Sequence, residues 1–200
     1  MSNHEFMSFE EFLKAIIDLL ETCDIGYMLG GAVAVWPWGE PRSTQDIDLV
    51  VDLSPNDIPL LSKELAKIDI YLPADIILDT LIEERADLPI NAIHGSTGFK
   101  AEMFPIRAWD ELRTNAFTRR RKVNFGSDIG DVYVHSPEDL IIYKLLNYSL
   151  SQQTKHVRDI GSIIKVLGEN LDYTYIEKWI NKKGLRSVWQ EIRNQIGYTR

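Results

Sequence analysis

The sequence predicts a mixed α/β (α+β) fold, a small twisted sheet flanked by helices, with a helical extension at its C-terminal end. Three observations carry this. Apolar runs of strand length occupy residues 27–29 and 47–51, set between longer stretches with helical periodicity. The stretch RKVNFGSDIGDVYVH alternates as a hairpin does, with Gly126, Ser127 and Asp128 supplying turn chemistry. From Ser136 onward every apolar pattern is helical. The chain therefore divides near residue 136 into an α/β core, 1–135, and a helical region, 136–200, packed on it.

The elements follow in order. Ser8 with Glu11 forms a capping box at the head of FEEFLKAIIDLLETC, where Phe9, Phe12, Ile16, Leu19 and Leu20 share one face. Residues 27–29 form a short buried strand, Gly30 and Gly31 a turn, and AVAVW the start of a helix. A second strand covers 47–51. Ser54-Pro55 opens another helix, with proline at the first helical position and Asp57 in the first turn. Pro73 begins a helix that runs through Arg85. Strands follow near 92–94 and 99–104, then the hairpin. Ser136-Pro137-Glu138-Asp139 is a helix start, and 154–167, 173–183 and 185–196 each read as helices.

Composition bounds the function. Hydrophobic residues make up 44% and charged residues 26%, enough apolar content for a folded core. The net charge of −8 opposes broad, sequence-blind binding to nucleic acid or an anionic membrane, which need an extended basic field. Cys23 is the only cysteine, so neither an intrachain disulfide nor a cysteine-rich zinc site can form. No apolar stretch is long enough to span a bilayer, and MSNHEFMSFEEF lacks a basic region followed by an apolar run. A cytoplasmic location is expected.

The most informative segment is YMLGGAVAVWPWGEPRSTQDIDLVVD, residues 27–52. Asp46 and Asp48 lie two apart on a strand, so both carboxylates leave one face. Side by side they repel unless a cation sits between them. Magnesium suits the position, since it takes oxygen ligands and is usually held by one or two carboxylates plus substrate phosphates.

The Gly-Gly turn after a strand, followed by Arg42-x-Thr44-x-Asp46-Ile-Asp48-Leu-Val-Val, resembles the nucleotidyltransferase (polymerase-β-like) fold. More narrowly, it looks like the bacterial branch that includes AbiEii-type toxins and related uncharacterised nucleotidyltransferases. TGFKAEMF (97–104) falls where that family has a strand carrying its third carboxylate, and SPEDLIIYK (136–144) and KHVRD (155–159) resemble its helical tail. The resemblance implies transfer of a nucleoside monophosphate from a triphosphate, ATP among the candidates, to a hydroxyl on tRNA, a small molecule or a protein. Asp46, Asp48 and Glu102 would be catalytic and hold the metal: Mg2+, as two ions, with Mn2+ the alternative. Gly30, Gly31, Arg42, Thr44 and Lys144 would contact the nucleotide, the two glycines letting backbone N–H groups approach the phosphates with a helix N-terminus behind them. A toxin or antitoxin partner is a further implication. Two positions depart from the family pattern. Glu102 replaces the usual aspartate, its extra methylene moving the carboxylate by more than about an ångström and adding a rotamer, and Ser162 stands where a further acidic residue often occurs. The Glu102 departure also allows a catalytically degenerate nucleotide-binding or partner-binding protein on the same fold.

Simpler roles are open to the same residues. Lys144 could pair with Asp139 or Glu138, and Glu102 could be half of a cross-strand ion pair, since it alternates with Lys100. Arg158 and Asp159 read as a tie between the helical tail and the sheet. Arg119, Arg120, Arg121 and Lys122 read as a solvated loop or strand edge, and are also the best patch for an RNA acceptor. Trp36 and Trp38 would pack in the core or cover the loop above the site, with base stacking as the other option. His94, His135 and His156 show no ligand spacing and read as structural.

Overall fold

The computed structural model describes residues 7–83 and 87–197. Helix α1 (Phe9–Thr22) starts at the expected capping box: the Glu11 N–H donates to Ser8 Oγ at 3.1 Å, and the Ser8 N–H to Glu11 Oε2 at 2.7 Å. It buries Phe12, Leu13, Ile16, Ile17 and Leu20 in the main core. Strand β1 (Gly26–Leu29) runs antiparallel to β2 (Asp46–Asp52), with Leu29 opposite Leu49. Between them AVAVW forms only a three-residue 3-10 turn, Val33–Val35, instead of the expected helix. Pro37 has no N–H to carry a helical ladder onward.

Helix α2 (Ile58–Lys67) begins later than the Ser54-Pro55 signal suggests. Asp57 Oδ2 accepts hydrogen bonds from both the N–H and the hydroxyl of Ser54, closing a turn ahead of the helix. Helix α3 (Ala74–Ile82) follows Pro73 and stops short of the expected end at Arg85, because Glu83 already has extended backbone (ψ 99°); residues 84–86 lie outside the described residues. Strands β3 (Ile90–Ile93) and β4 (Lys100–Pro105) are separated by a tight loop in which the His94 N–H donates to Phe99 O at 2.9 Å, so His94 belongs to the turn. Helix α4 (Glu111–Thr118) has no counterpart among the expected elements. It carries little amphipathic pattern and is fixed by its Asp110 cap and by burial of Leu112, Ala116 and Phe117.

Strands β5 (Arg121–Asn124) and β6 (Asp131–Val134) form the expected hairpin, with Gly126 and Gly130 at positive φ in its loop. Four helices complete the chain: α5 (Pro137–Ser151), α6 (Thr154–Leu167), α7 (Tyr173–Lys182) and α8 (Arg186–Gln195). The six strands form one mixed sheet in the order β3-β4-β2-β1-β6-β5, with helices on both sides, as the sequence predicts. The pairs β2–β4 and β1–β6 are parallel and the others antiparallel. This order puts β2 beside both β1 and β4, so the Gly-Gly turn, the Asp pair and Glu102 meet at one end of the sheet. No helix among the described residues is long and apolar enough to cross a membrane.

The loop between β1 and β2 packs against both the sheet and the helical region. Trp38 Nε1–H donates to His135 O at 3.0 Å, while Trp36 packs edge-on to Phe9 and against Phe125. Asp159 on α6 pairs with Arg42, in the loop before β2, which is the tie expected of it; Arg158 beside it is exposed. Ser162 Oγ donates to Asp159 O at 2.9 Å, and a Cβ on Gly39 would come within 2.4 Å of it. That close approach favours a small side chain at position 162.

Candidate active site

Asp46 and Asp48 occupy the first and third positions of β2, and the parallel register sets Asp48 directly beside Glu102 on β4 and Asp46 beside Lys100. The three carboxylates therefore share one sheet face, as the resemblance implies. They differ in setting. Asp46 is exposed, whereas Asp48 and Glu102 are half-buried. Burial raises the Asp48 pKa first and repulsion from Glu102 adds to it; Lys144 and Lys155 pull the other way.

The Gly-Gly turn packs onto Asp48. Gly31 has φ +58°, and a Cβ there would lie 1.7 Å from Asp48 Oδ2. Glycine is thus required at 31 both by its backbone conformation and by the carboxylate. Gly30 behaves differently from its expected role. Its N–H is spent on Asp48 O at 2.8 Å, so it holds the strand end. Because a 3-10 turn follows, no helix dipole stands behind these glycines.

A cleft of about 560 Å³ opens in front of the carboxylates, walled by Gly31, Arg42, Thr44, Asp46, Asp48 and Glu102 on one side and by residues of α5 and α6 on the other. The volume falls in the range usual for small-molecule sites. Thr44 Oγ1 accepts from the Asp46 N–H at 3.2 Å and donates to Asp46 O at 3.1 Å, which sets the start of β2 and leaves the hydroxyl little freedom. Lys144 pairs neither with Asp139 nor with Glu138. Its ammonium lies 2.6 Å from Asp159 Oδ2, both side chains being almost fully buried, and Arg42 Nε reaches Asp159 Oδ1 at 3.1 Å. Burial pushes the Lys144 pKa down and Asp159 opposes it. Arg42 and Lys144 thus line the cleft while sharing one carboxylate. Lys155, exposed in the first turn of α6, adds a third cation, and His156 beside it carries a buried Nδ1 without a hydrogen-bond partner.

The residues that sequence reasoning missed are Asn147, Lys155 and His156, all on the cleft wall. Lys155 and His156 sit inside the KHVRD segment; the signal available was their place at the start of a helix whose Asp159 pairs with two cleft-lining cations, Arg42 and Lys144.

A second, smaller cleft of about 320 Å³ meets the first at Gly31, Asp48, Lys144, Asn147 and Leu150. It is lined largely by apolar side chains of β2, β4, α4 and α5, with Asp87, Asp110 and Arg113 at its polar end. Asp48 is the one carboxylate of the three that faces both clefts.

The basic run is consumed within the fold. Arg119 pairs with Glu138 at 3.4 Å and with Asp139 at 3.2 Å, and its guanidinium lies 3.8 Å from the Tyr175 ring centroid. Arg120 stacks on Phe117 and Tyr133, and Lys122 lies 3.6 Å from Asp131. Arg121 and Lys122 are exposed on the edge strand, too few to make a basic field.

The donor set of Asp46, Asp48 and Glu102 is all oxygen, which suits magnesium or manganese. An ammonium already sits between two of the three: Lys100 Nζ is 2.6 Å from Glu102 Oε1 and 3.6 Å from Asp46 Oδ1. Among the described residues no three acidic, histidine or cysteine side chains converge tightly enough to hold an ion as they stand. The residues fit a divalent ion in chemistry and register, with Lys100 as the cation present.

This architecture is the nucleotidyltransferase fold. Among solved structures, the chain is similar to the antibiotic-resistance factor ANT(2'')-Ia in solution, with TM-score 0.60 and 15% identity over 95% of this chain and 97% of that one. The crystal structure of ANT(2'')-Ia in complex with adenylyl-2''-tobramycin gives TM-score 0.59 and 14% identity over 90% and 98%. An antigenic nucleotidyltransferase-like protein from Paracoccidioides brasiliensis gives 0.55 and 18% over 91% and 92%. No family model matches the sequence, and no curated protein does.

Proposed function

We propose that the protein is a divalent-metal-dependent nucleotidyltransferase that moves a nucleoside monophosphate from a triphosphate to a hydroxyl of a small molecule. The observation that carries the reading is the register of β2 against β4, which sets Asp48 beside Glu102, with Asp46 two residues away, behind a cleft whose far wall is cationic.

A nucleoside triphosphate carries about four negative charges, and its reaction depends on positioning and charge neutralisation. Arg42, Lys144 and Lys155 offset by Asp159 leave net positive charge around the cleft, and the N-terminal turn of α6, which carries Lys155, adds favourable dipole for an anion. The triphosphate lies there, with its α-phosphate toward Asp46 and Asp48. Asp46, Asp48 and Glu102 would hold Mg2+ or Mn2+, which when bound neutralises charge on the phosphates and the departing pyrophosphate. Asp48, facing both clefts, brings the acceptor hydroxyl alongside the α-phosphate. The hydroxyl oxygen bonds to the α-phosphorus, the bond to the β-phosphate oxygen breaks, and the proton passes to the Asp48–Glu102 pair.

The smaller cleft favours a small-molecule acceptor over RNA, because Arg119 and Arg120 are spent inside the fold. Transfer of adenylate to an aminoglycoside, the chemistry named for ANT(2'')-Ia with tobramycin, is the first case to test. Incubation with labelled ATP, Mg2+ and a panel of aminoglycosides, then with a cell extract, tests it. Label on a small molecule, lost in Asp48→Asn, supports the reading; label on RNA or protein alone would move the acceptor class. The second reading is a degenerate nucleotide-binding or partner-binding protein, of which an AbiEii-like toxin or antitoxin pairing is one form. The Lys100 bridge across Asp46 and Glu102 favours it, and transfer by the wild type excludes it.

A further inference from the structure

Lys100 precedes Glu102 by two residues on β4, so both side chains leave the same face of the strand, and its register partner across the sheet is Asp46. It is therefore built into the carboxylate face. Its ammonium spans two of the three acids, and the hydrogen bond to Glu102 is the short one at 2.6 Å. Asp48, the third acid, has no ion pair among the described residues.

We propose that Lys100 is the internal counter-cation of this site: its ammonium takes the position of a divalent ion between Asp46 and Glu102, and has to swing out for the ion to bind. The inference rests on the reading of Asp46, Asp48 and Glu102 as metal ligands. Without a cation, three carboxylates on one face of adjacent strands repel one another. An ammonium offers three donors and bridges two acids well, but a magnesium ion needs its oxygens at about 2.0–2.1 Å. The ammonium occupies the space between the two acids, and its charge repels a divalent ion placed there at close range, so ion and ammonium compete for the same position. Lys100 is 30% exposed, with room to leave toward solvent. The arrangement keeps the sheet end stable without metal and makes ion binding an exchange of one cation for another.

The test pairs two measurements on the full chain: Mn2+ binding by calorimetry, and the rate at which an amine-reactive ester acylates Lys100, read by peptide mass spectrometry. Lys100→Met should bind Mn2+ roughly tenfold more tightly than wild type, a difference of about 1.4 kcal/mol. In wild type, saturating Mn2+ should speed acylation of Lys100 several-fold, and Asp48→Asn should abolish that response. If wild type binds Mn2+ with Lys100 acylation unchanged, the exchange is overturned while the metal site stands. If neither wild type nor Lys100→Met binds Mn2+, the ligand assignment fails and the exchange with it. Should Lys100→Met fold poorly, the acylation measurement on wild type decides alone.

Discussion

Lys144 on α5 and Asp159 on α6 form a buried ion pair at 2.6 Å, and Arg42, in the loop before β2, closes on the other oxygen of the same carboxylate at 3.1 Å. One aspartate therefore joins two helices of the C-terminal region to the loop that delivers Asp46 and Asp48. Removing one member of a buried pair leaves an uncompensated charge, commonly at a cost of about 3–5 kcal/mol. Lys144→Met should lose about 3 kcal/mol in urea unfolding, the lower end because Arg42 still pairs with Asp159. A loss below about 1 kcal/mol would mean that the pair contributes little to the docking of the helices.

Gly31→Ala tests how the turn and Asp48 fit together. The left-handed backbone alone costs roughly 1–2 kcal/mol for a non-glycine residue, and the new Cβ would sit 1.7 Å from Asp48 Oδ2. Asp48 has to move, so stability and metal-dependent nucleotide binding should both fall. Gly30→Ala is the internal contrast: its Cβ would meet His135 at 3.3 Å, without positive φ, and a smaller loss is expected. Equal losses would contradict the assignment of the strain to Gly31.

His135 gives a pH signature. Burial lowers its pKa from the ordinary 6.5 to about 4, with Asp139 opposing. In the pH window between about 4 and 6.5 the unfolded chain binds a proton that the folded chain refuses, so stability falls as pH falls through that window. The contribution reaches about 3 kcal/mol at the low end. His135→Gln should flatten stability against pH between 6.5 and 4 relative to wild type. An unchanged slope would show that His135 does not carry it.

Arg119 and Arg121 separate fold from RNA binding. Arg119→Gln removes contacts to Glu138, Asp139 and the Tyr175 ring and should cost about 1–3 kcal/mol. Arg121→Gln, at an exposed edge position, should leave stability within about 0.5 kcal/mol, and transfer rates should hold. A large loss of transfer in Arg121→Gln with stability intact would restore the RNA reading.

Most of the fold was legible in local patterns. The Ser8 capping box, the alternation of the hairpin and the Ser136 helix start each carried their own signal, and the structure contains all three. The failures have local causes. AVAVW is a short apolar run with two β-branched valines and is stopped by Pro37, and α4, with little amphipathic pattern of its own, is held by a cap and by tertiary burial. The carboxylates could be nominated from sequence because i,i+2 spacing fixes the face they share. The partner of Lys144 could not, since Asp159 reaches it through packing of α5 on α6, which periodicity does not encode. Lys100 was visible only as a neighbour of Glu102; its contact with Asp46 depends on the β2–β4 register.

Calorimetric titration of a non-hydrolysable ATP analogue with and without Mg2+ decides whether the Asp46, Asp48 and Glu102 face is a metal-dependent triphosphate site. Binding should require Mg2+ and be lost in Asp48→Asn, with the fold intact by circular dichroism. Binding indifferent to Mg2+ and unchanged in Asp48→Asn would contradict that assignment.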